Sequence, residues 1–98
     1  MEITGTIKRV LATELVSEKF KKRVLHIVTG EQYPQTIEFQ ATQDKVDLLN
    51  GLNEGEQITV HFNLRGREWI SPSGEIRVFN TNEIWKIEIA ATEDELQF

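Results

Sequence analysis

Apolar and polar residues alternate along much of the chain, most clearly where Ile58, Val60, Phe62 and Leu64 are separated by Thr59, His61, Asn63 and Arg65. A period of two sends one set to a buried face and the other to solvent, so this stretch predicts a half-buried strand. Thr36 to Gln40 repeats the pattern, with Ile37 and Phe39 inward and Thr36, Glu38 and Gln40 outward. Arg23 to Thr29 predicts another strand, with Leu25 and Ile27 on one face and Val24, His26 and Val28 on the other. Upstream, Ile3 to Val16 is rich in β-branched residues and predicts one long strand. Gly5 within it implies a bend or a close backbone approach, and Lys8-Arg9 breaks the alternation as a bulge does.

Between Gln40 and Ile58 the pattern changes. Thr42 is a candidate N-cap, Asp44 sits in a first turn, Val46, Leu48 and Leu49 form an apolar face, and Gly51 suits the position after a helix. Gly66 and Ser71-Pro72-Ser73-Gly74 predict a bend and a loop around Arg67 to Ile70. The last strand region runs from Ile76 to Ile89, with a break expected at Asn80-Thr81-Asn82 and Trp85 expected inside, among Ile84, Ile87 and Ile89. Three strands, a helix and two strands predict an all-β fold, a five-stranded OB-fold barrel with one short α-helix between strands three and four. A long bent first strand suits closure of such a barrel. Another small barrel or an open α+β sheet is the rival arrangement. The barrel domain is expected over residues 1–89, and an acidic C-terminal tail over 90–98.

Ninety-eight residues allow one domain, and 39% hydrophobic with 28% charged residues is ordinary globular composition. No apolar run reaches the roughly 18 residues of a membrane helix, and the first residues do not read as a signal peptide, so a cytoplasmic, membrane-free protein is expected. The absence of cysteine removes disulfides and thiolate chemistry. The net charge of −5 is concentrated at one end. Four of the sixteen acids lie in residues 88–98 with no base, leaving twelve acids against eleven bases in residues 1–87. A near-neutral body can still present a local positive face.

No catalytic constellation emerges. His26 and His61 stand alone in separate strands, where a metal site wants two or three ligands at workable spacing. There is no phosphate loop and no nucleophile elbow, and the carboxylate pairs Asp44 with Asp47 and Glu93 with Asp94 read as solvated. The expectation is a protein that is not an enzyme and has no metal or cofactor.

Binding chemistry has more support. Lys19, Phe20, Lys21, Lys22 and Arg23 put four cations and an aromatic ring in the predicted loop between strands one and two. Arg65, Arg67, Trp69 and Arg77 fall on the predicted hairpin between strands four and five. In an OB fold both loops border one groove, and single-strand binders pair cations for phosphates with aromatic faces for bases. Phe20 reads equally as a ring folded onto the barrel, and Trp69 as a core or subunit-interface residue. The apolar Val24 and Val28, with Glu38 and Gln40 beside them, suit a protein interface better than a phosphate track.

Met1-Glu2-Ile3-Thr4-Gly5-Thr6-Ile7, Asp44-Lys45-Val46-Asp47-Leu48-Leu49, Leu52-Asn53-Glu54-Gly55, Val60-His61-Phe62-Asn63-Leu64, Arg67-Glu68-Trp69 and Trp85-Lys86-Ile87 together resemble a bacterial family of unknown function. The resemblance covers most of residues 1–88 and implies short OB-fold proteins similar to bacterial single-stranded DNA-binding proteins; Ser71 to Asn82 departs from it. The end of the chain, with Glu93, Asp94, Glu95, Leu96 and Phe98, looks like the acidic, Phe-terminated tip by which such proteins recruit partners, except that Gln97 stands where that tip has proline. A solubilising tail is the plainer reading. These observations imply a non-enzymatic OB-fold binding module for single-stranded nucleic acid, working as a homo-oligomer, with a possible protein partner for the tail. The alternative is a protein–protein interaction barrel or assembly subunit, using the Val24/Val28 face, without nucleic-acid affinity.

Overall fold

Gly5 sits where the first strand must serve two neighbours at once. In the computed structural model, which describes residues 1–89, β1 (Glu2–Val10) pairs antiparallel with β5 (Gln57–Ile70) and with β3 (Phe20–Thr29), and Gly5 and Thr6 have partners on both sides. A Cβ at Gly5 would lie 2.7 Å from the Val28 carbonyl oxygen, so only glycine permits this approach. The register of β1 on β3 shifts between Ile7 and Arg9, which confirms the expected bulge at Lys8-Arg9. The expected single strand over residues 3–16 is, however, two pieces. The ladder lapses after Val10 and resumes in β2 (Glu14–Ser17), which pairs with the start of β3. In the gap the Leu11 carbonyl accepts from the Arg23 side chain at 2.7 Å, so a side chain satisfies a group the ladder has left.

β3 pairs antiparallel with β4 (Thr36–Thr42), and β4 meets β6 (Ile76–Ile89) in parallel at Gln40 and Glu83. β6 pairs with β5 along its length. The sequence β1–β5–β6–β4–β3–β1 therefore closes on itself, as the OB arrangement requires, with β2 as an outlying continuation of the first strand. Inside the ring lie Ile7, Leu25, Ile27, Phe39, Ala41, Val46, Leu49, Ile58, Val60 and Ile84, all almost fully buried. Leu25, Ile27 and Phe39, read inward from alternation in β3 and β4, are among them, and Ile37, also read inward, is partly buried against them. Phe62 packs edge-on to Phe39, their ring centroids 5.1 Å apart.

The expected α-helix is a 3-10 helix, Gln43–Leu49. Its two buried residues, Val46 and Leu49, are three apart, the spacing that three residues per turn aligns on one side. Thr42 does not cap it, because the Thr42 hydroxyl donates instead to Glu83 at 2.8 Å. Gly51 does take the left-handed conformation expected after a helix, with φ +80°.

The largest departure is the last hairpin. Residues 66–70 are strand rather than loop, and β6 runs unbroken through Asn80-Thr81-Asn82. The pairing extends from Ile58 opposite Ile89 to Ile70 opposite Ile76. Gly66 lies flat in the ladder opposite Asn80, and reversal occurs only at Ser71–Glu75, where Gly74 has φ +90° and donates to the Ser71 carbonyl. Beyond Phe62 and Ile84 this hairpin leaves the barrel as an arm. The 62 Å longest extent and 15.8 Å radius of gyration reflect it, against about 13 Å for a compact chain of this length.

Candidate nucleic-acid interface

Register decides which arm residues share a face. Arg65 stands opposite Thr81, Arg67 opposite Phe79, and Trp69 opposite Arg77. Directly opposed residues of an antiparallel pair point the same way, as do residues two apart. Arg65, Arg67, Trp69 and Arg77 therefore share one face, and Phe79 joins them. Trp69 and Phe79 are diagonal neighbours, roughly 7–8 Å apart at the backbone, and both rings are substantially exposed. The acid of this face is Glu83 at the arm's base, 3.9 Å from Arg65 and accepting from Thr42. At the paired positions outboard of Glu83 the face carries three guanidinium groups and no carboxylate; Glu75, two residues from Arg77, stands at the tip beyond the last pair. Where it meets the barrel, a crevice of about 390 Å³ is lined by Gln40, Arg65, Arg67, Phe79, Thr81 and Glu83.

The first basic cluster is divided by strand alternation. Lys19 lies in the β2–β3 turn, but Phe20 to Arg23 belong to β3, so the expected loop is shorter than its sequence suggested. Phe20 and Lys22 share the outer face with Val24, His26 and Val28, whereas Lys21 and Arg23 fall on the other side. Arg23 is a structural residue: besides Leu11 it donates to Asn50 Oδ1 at 2.8 Å and ties the barrel floor to the end of the helix. Gln43 accepts from the Lys21 amide and donates to the Lys19 carbonyl, fixing the turn beside a crevice of about 260 Å³ next to Lys19 and Phe20. Lys22 faces Thr42 across the ladder, and Thr42 reaches Glu83. The two basic clusters thus lie on one continuous outer surface, spanning β3, β4 and the arm. Glu14, opposite Lys22, weakens its positive end.

Between them runs a polar chain across three strands. Arg9 Nη1 is 2.9 Å from His26 Nδ1, and His26 Nε2 is 2.9 Å from Glu38. Arginine only donates, so Nδ1 is the acceptor and Nε2–H donates to Glu38. Val24 and Val28 on either side are half-buried, so the apolar patch expected there is smaller than the sequence implied.

Trp85 departs from expectation: it is 44% exposed. A register shift between His61 and Phe62 leaves Trp85 as the extra residue on β6, turned outward with its ring 5.2 Å from that of His61. Beside it, Lys86 binds the Glu88 carboxylate at 3.0 Å and holds its pKa below the ordinary 4.5, with His61 assisting more weakly. His61 Nε2 is 3.2 Å from Glu88 but poorly aligned, so it makes a close electrostatic approach without a hydrogen bond.

Residues 2–88 match the family described as a domain of unknown function, DUF3127. The chain belongs to that family. No curated protein matches the sequence of this DUF3127 chain. Its fold is similar to that of a mitochondrial single-stranded DNA binding protein from S. cerevisiae, Rim1, with a TM-score of 0.65 at 15% identity over 91% of each chain. A selenomethionine-labelled Rim1 structure gives 0.63 at 15% identity, again over 91% of each chain. At such low identity the likeness establishes the OB architecture of the DUF3127 chain.

Of the expected site residues, Arg65, Arg67, Trp69, Arg77, Phe20 and Lys22 lie on one surface with Lys19 at its edge; Lys21 and Arg23 do not. Phe79 was missed, although it follows Arg77 by two and shares its parity; the expected break at Asn80 hid this. Trp85 was missed because alternation does not reveal a bulge. The expected partner-binding residues Glu93, Asp94, Glu95, Leu96 and Phe98 lie outside the described residues.

Proposed function

We propose that this chain is a non-enzymatic OB-fold module that binds single-stranded nucleic acid along the outer face of β3, β4 and the arm. The observation that carries this reading is the β5–β6 register, which gathers Arg65, Arg67, Arg77, Trp69 and Phe79 on one side, with no acid at the paired positions between Glu83 and the tip of the arm. The guanidinium groups bind phosphates, and Trp69 and Phe79 offer successive bases a stacking surface. Lys22, Phe20 and Lys19 extend the track to the β2–β3 corner. The fold shared with mitochondrial single-stranded DNA binding proteins supports the same reading.

The overall acidity of the chain limits non-specific affinity, so binding depends on the local patch. Neutralising about three or four phosphates gives a slope of log affinity against log salt of roughly −2 to −3. Tryptophan fluorescence titration with a poly-pyrimidine strand at two salt concentrations measures it. Quenching with that slope, and weaker binding of duplex, is the expected result. No quenching at low salt, or equal affinity for duplex, would sink the proposal.

A further inference from the structure

Glu83 is out of place on a surface that binds phosphates. It stands at the root of the arm, the one carboxylate among the paired positions of the arm's cationic face. Its backbone pairs in parallel with Gln40, so the two side chains lie side by side where β4 meets β6. A strand running from Arg67 and Arg65 to Lys22 must pass over this carboxylate, because Lys22 faces Thr42 and the Thr42 hydroxyl donates to Glu83 Oε1 at 2.8 Å. That bond fixes the carboxylate and leaves Oε2 open. Arg65 Nε is 3.9 Å from Oε2, beyond hydrogen-bonding distance. A carboxylate only accepts, so it repels a phosphate and calls for an N–H donor. In a nucleic acid only the bases carry one.

The surroundings fit a base. The crevice of about 390 Å³ at this point is lined by Gln40, Arg65, Arg67, Phe79, Thr81 and Glu83. Thr81 is midway between Phe79 and Glu83, which are about 13 Å apart along β6, and Arg65 stands opposite it. A base over the Arg65–Thr81 pair stacks on the planar guanidinium, with Phe79 at one edge and Glu83 at the other. The Gln40 amide beside Glu83 offers both a donor and an acceptor.

We propose that this crevice is a base subsite selective for an exocyclic amine, so that among pyrimidines it takes cytosine and discriminates against thymine and uracil. This selectivity rests on the single-strand binding proposed above. Cytosine presents its N4 amine beside the ring acceptor N3. Glu83 Oε2 accepts from the amine, and the Gln40 amide donates to N3. Thymine and uracil place the O4 carbonyl where the amine would be. Their one ring N–H lies between two carbonyls, so the carboxylate meets oxygen in either orientation. Stacking alone tolerates every base, so a cytosine preference that depends on Glu83 separates edge reading from stacking.

Fluorescently labelled oligo(dC) and oligo(dT) of equal length, compared by anisotropy at neutral pH, test it. The wild-type chain should bind oligo(dC) roughly fivefold more tightly, the lower end of what a base-edge contact contributes. A strand of N4,N4-dimethylcytosine, which has no N4–H, should bind no better than oligo(dT). Glu83→Gln should bring the two affinities close to equality, chiefly by strengthening oligo(dT), since a glutamine amide can donate to O4. The Thr42 hydroxyl can still donate to the glutamine oxygen, and circular dichroism melts confirm that the variant is folded. Three results would overturn the subsite and leave single-strand binding standing: equal wild-type affinity for the two strands, a dimethylated strand that binds as well as oligo(dC), or a Glu83→Gln variant that strengthens both strands equally. Failure to bind either strand overturns both readings.

Discussion

Replacing Gly5 by alanine tests the closure of the barrel at its most crowded point. The new Cβ would sit 2.7 Å from the Val28 carbonyl oxygen and 3.0 Å from Ile27 Cδ1. The isoleucine tip can move, but the carbonyl belongs to β3, whose Val28 is paired with Thr6 on one side and Thr36 on the other. To reach ordinary contact the backbone must yield by several tenths of an ångström, which strains two ladders together. Overpacking of this kind costs about 1–3 kcal/mol, and a weakened ladder hydrogen bond adds about 1 kcal/mol. Loss of glycine's freedom in the unfolded chain returns about 0.4–1 kcal/mol. The net destabilisation is about 2–3 kcal/mol, a fall in Tm of roughly 10–20 °C for a domain of this size. Gly66→Ala is the internal control, since its Cβ would meet only the Asn80 side-chain oxygen, at 3.3 Å. It should be neutral or slightly stabilising. Thermal and urea melts followed by circular dichroism measure both. If the two variants differ by less than about 0.5 kcal/mol, the account of Gly5 as the pivot of β1 is wrong.

Trp69→Ala and Phe79→Ala should each weaken single-strand binding by roughly 5- to 100-fold, while Arg67→Ser should also reduce the salt slope by about 0.7; equal affinity in the Phe79 variant would remove that residue from the track. Arg23→Ala should behave oppositely, losing about 1–3 kcal/mol of stability because Leu11 and Asn50 lose their donor, with the salt slope unchanged in the same titration. Lys86→Met should raise the Glu88 pKa toward its ordinary value, read by carboxyl NMR. Because the folded value is depressed, the stabilisation from Glu88 is present above 4.5 and lost as pH falls through the folded pKa. Acid titration of the variant should therefore show a smaller Glu88-dependent loss than the parent.

Strand alternation made β3, β4 and the barrel half of β5 legible, because burying every second residue leaves a mark in a single segment. Leu25, Ile27, Phe39, Ile58 and Val60 are read inward from that mark and are inward in the fold. The arm left a weaker mark, since both of its faces are solvent-exposed and apolar residues occur on each. Gly66 and Asn80 look like breaks when each strand is considered alone. Only their position opposite one another shows that the ladder runs straight through.

The basic clusters were likewise visible as composition, not as geometry. The four cations among the five residues Lys19 to Arg23 cannot all face one ligand once most of the segment is strand, and the pleat sends Lys21 and Arg23 away. Arg23 then finds Leu11 and Asn50, contacts that exist only because the ring closes. By itself, the chain of residues determined the barrel, its core and the enrichment of arginine and aromatic side chains near the last hairpin, since each follows from local period and residue type. The tertiary structure decided which of those side chains stand together, that Phe79 completes the cationic face and that Leu64, Ile70, Ile76 and Val78 form an opposite one. Those are consequences of register between strands, and register is a relation between segments that no single segment contains.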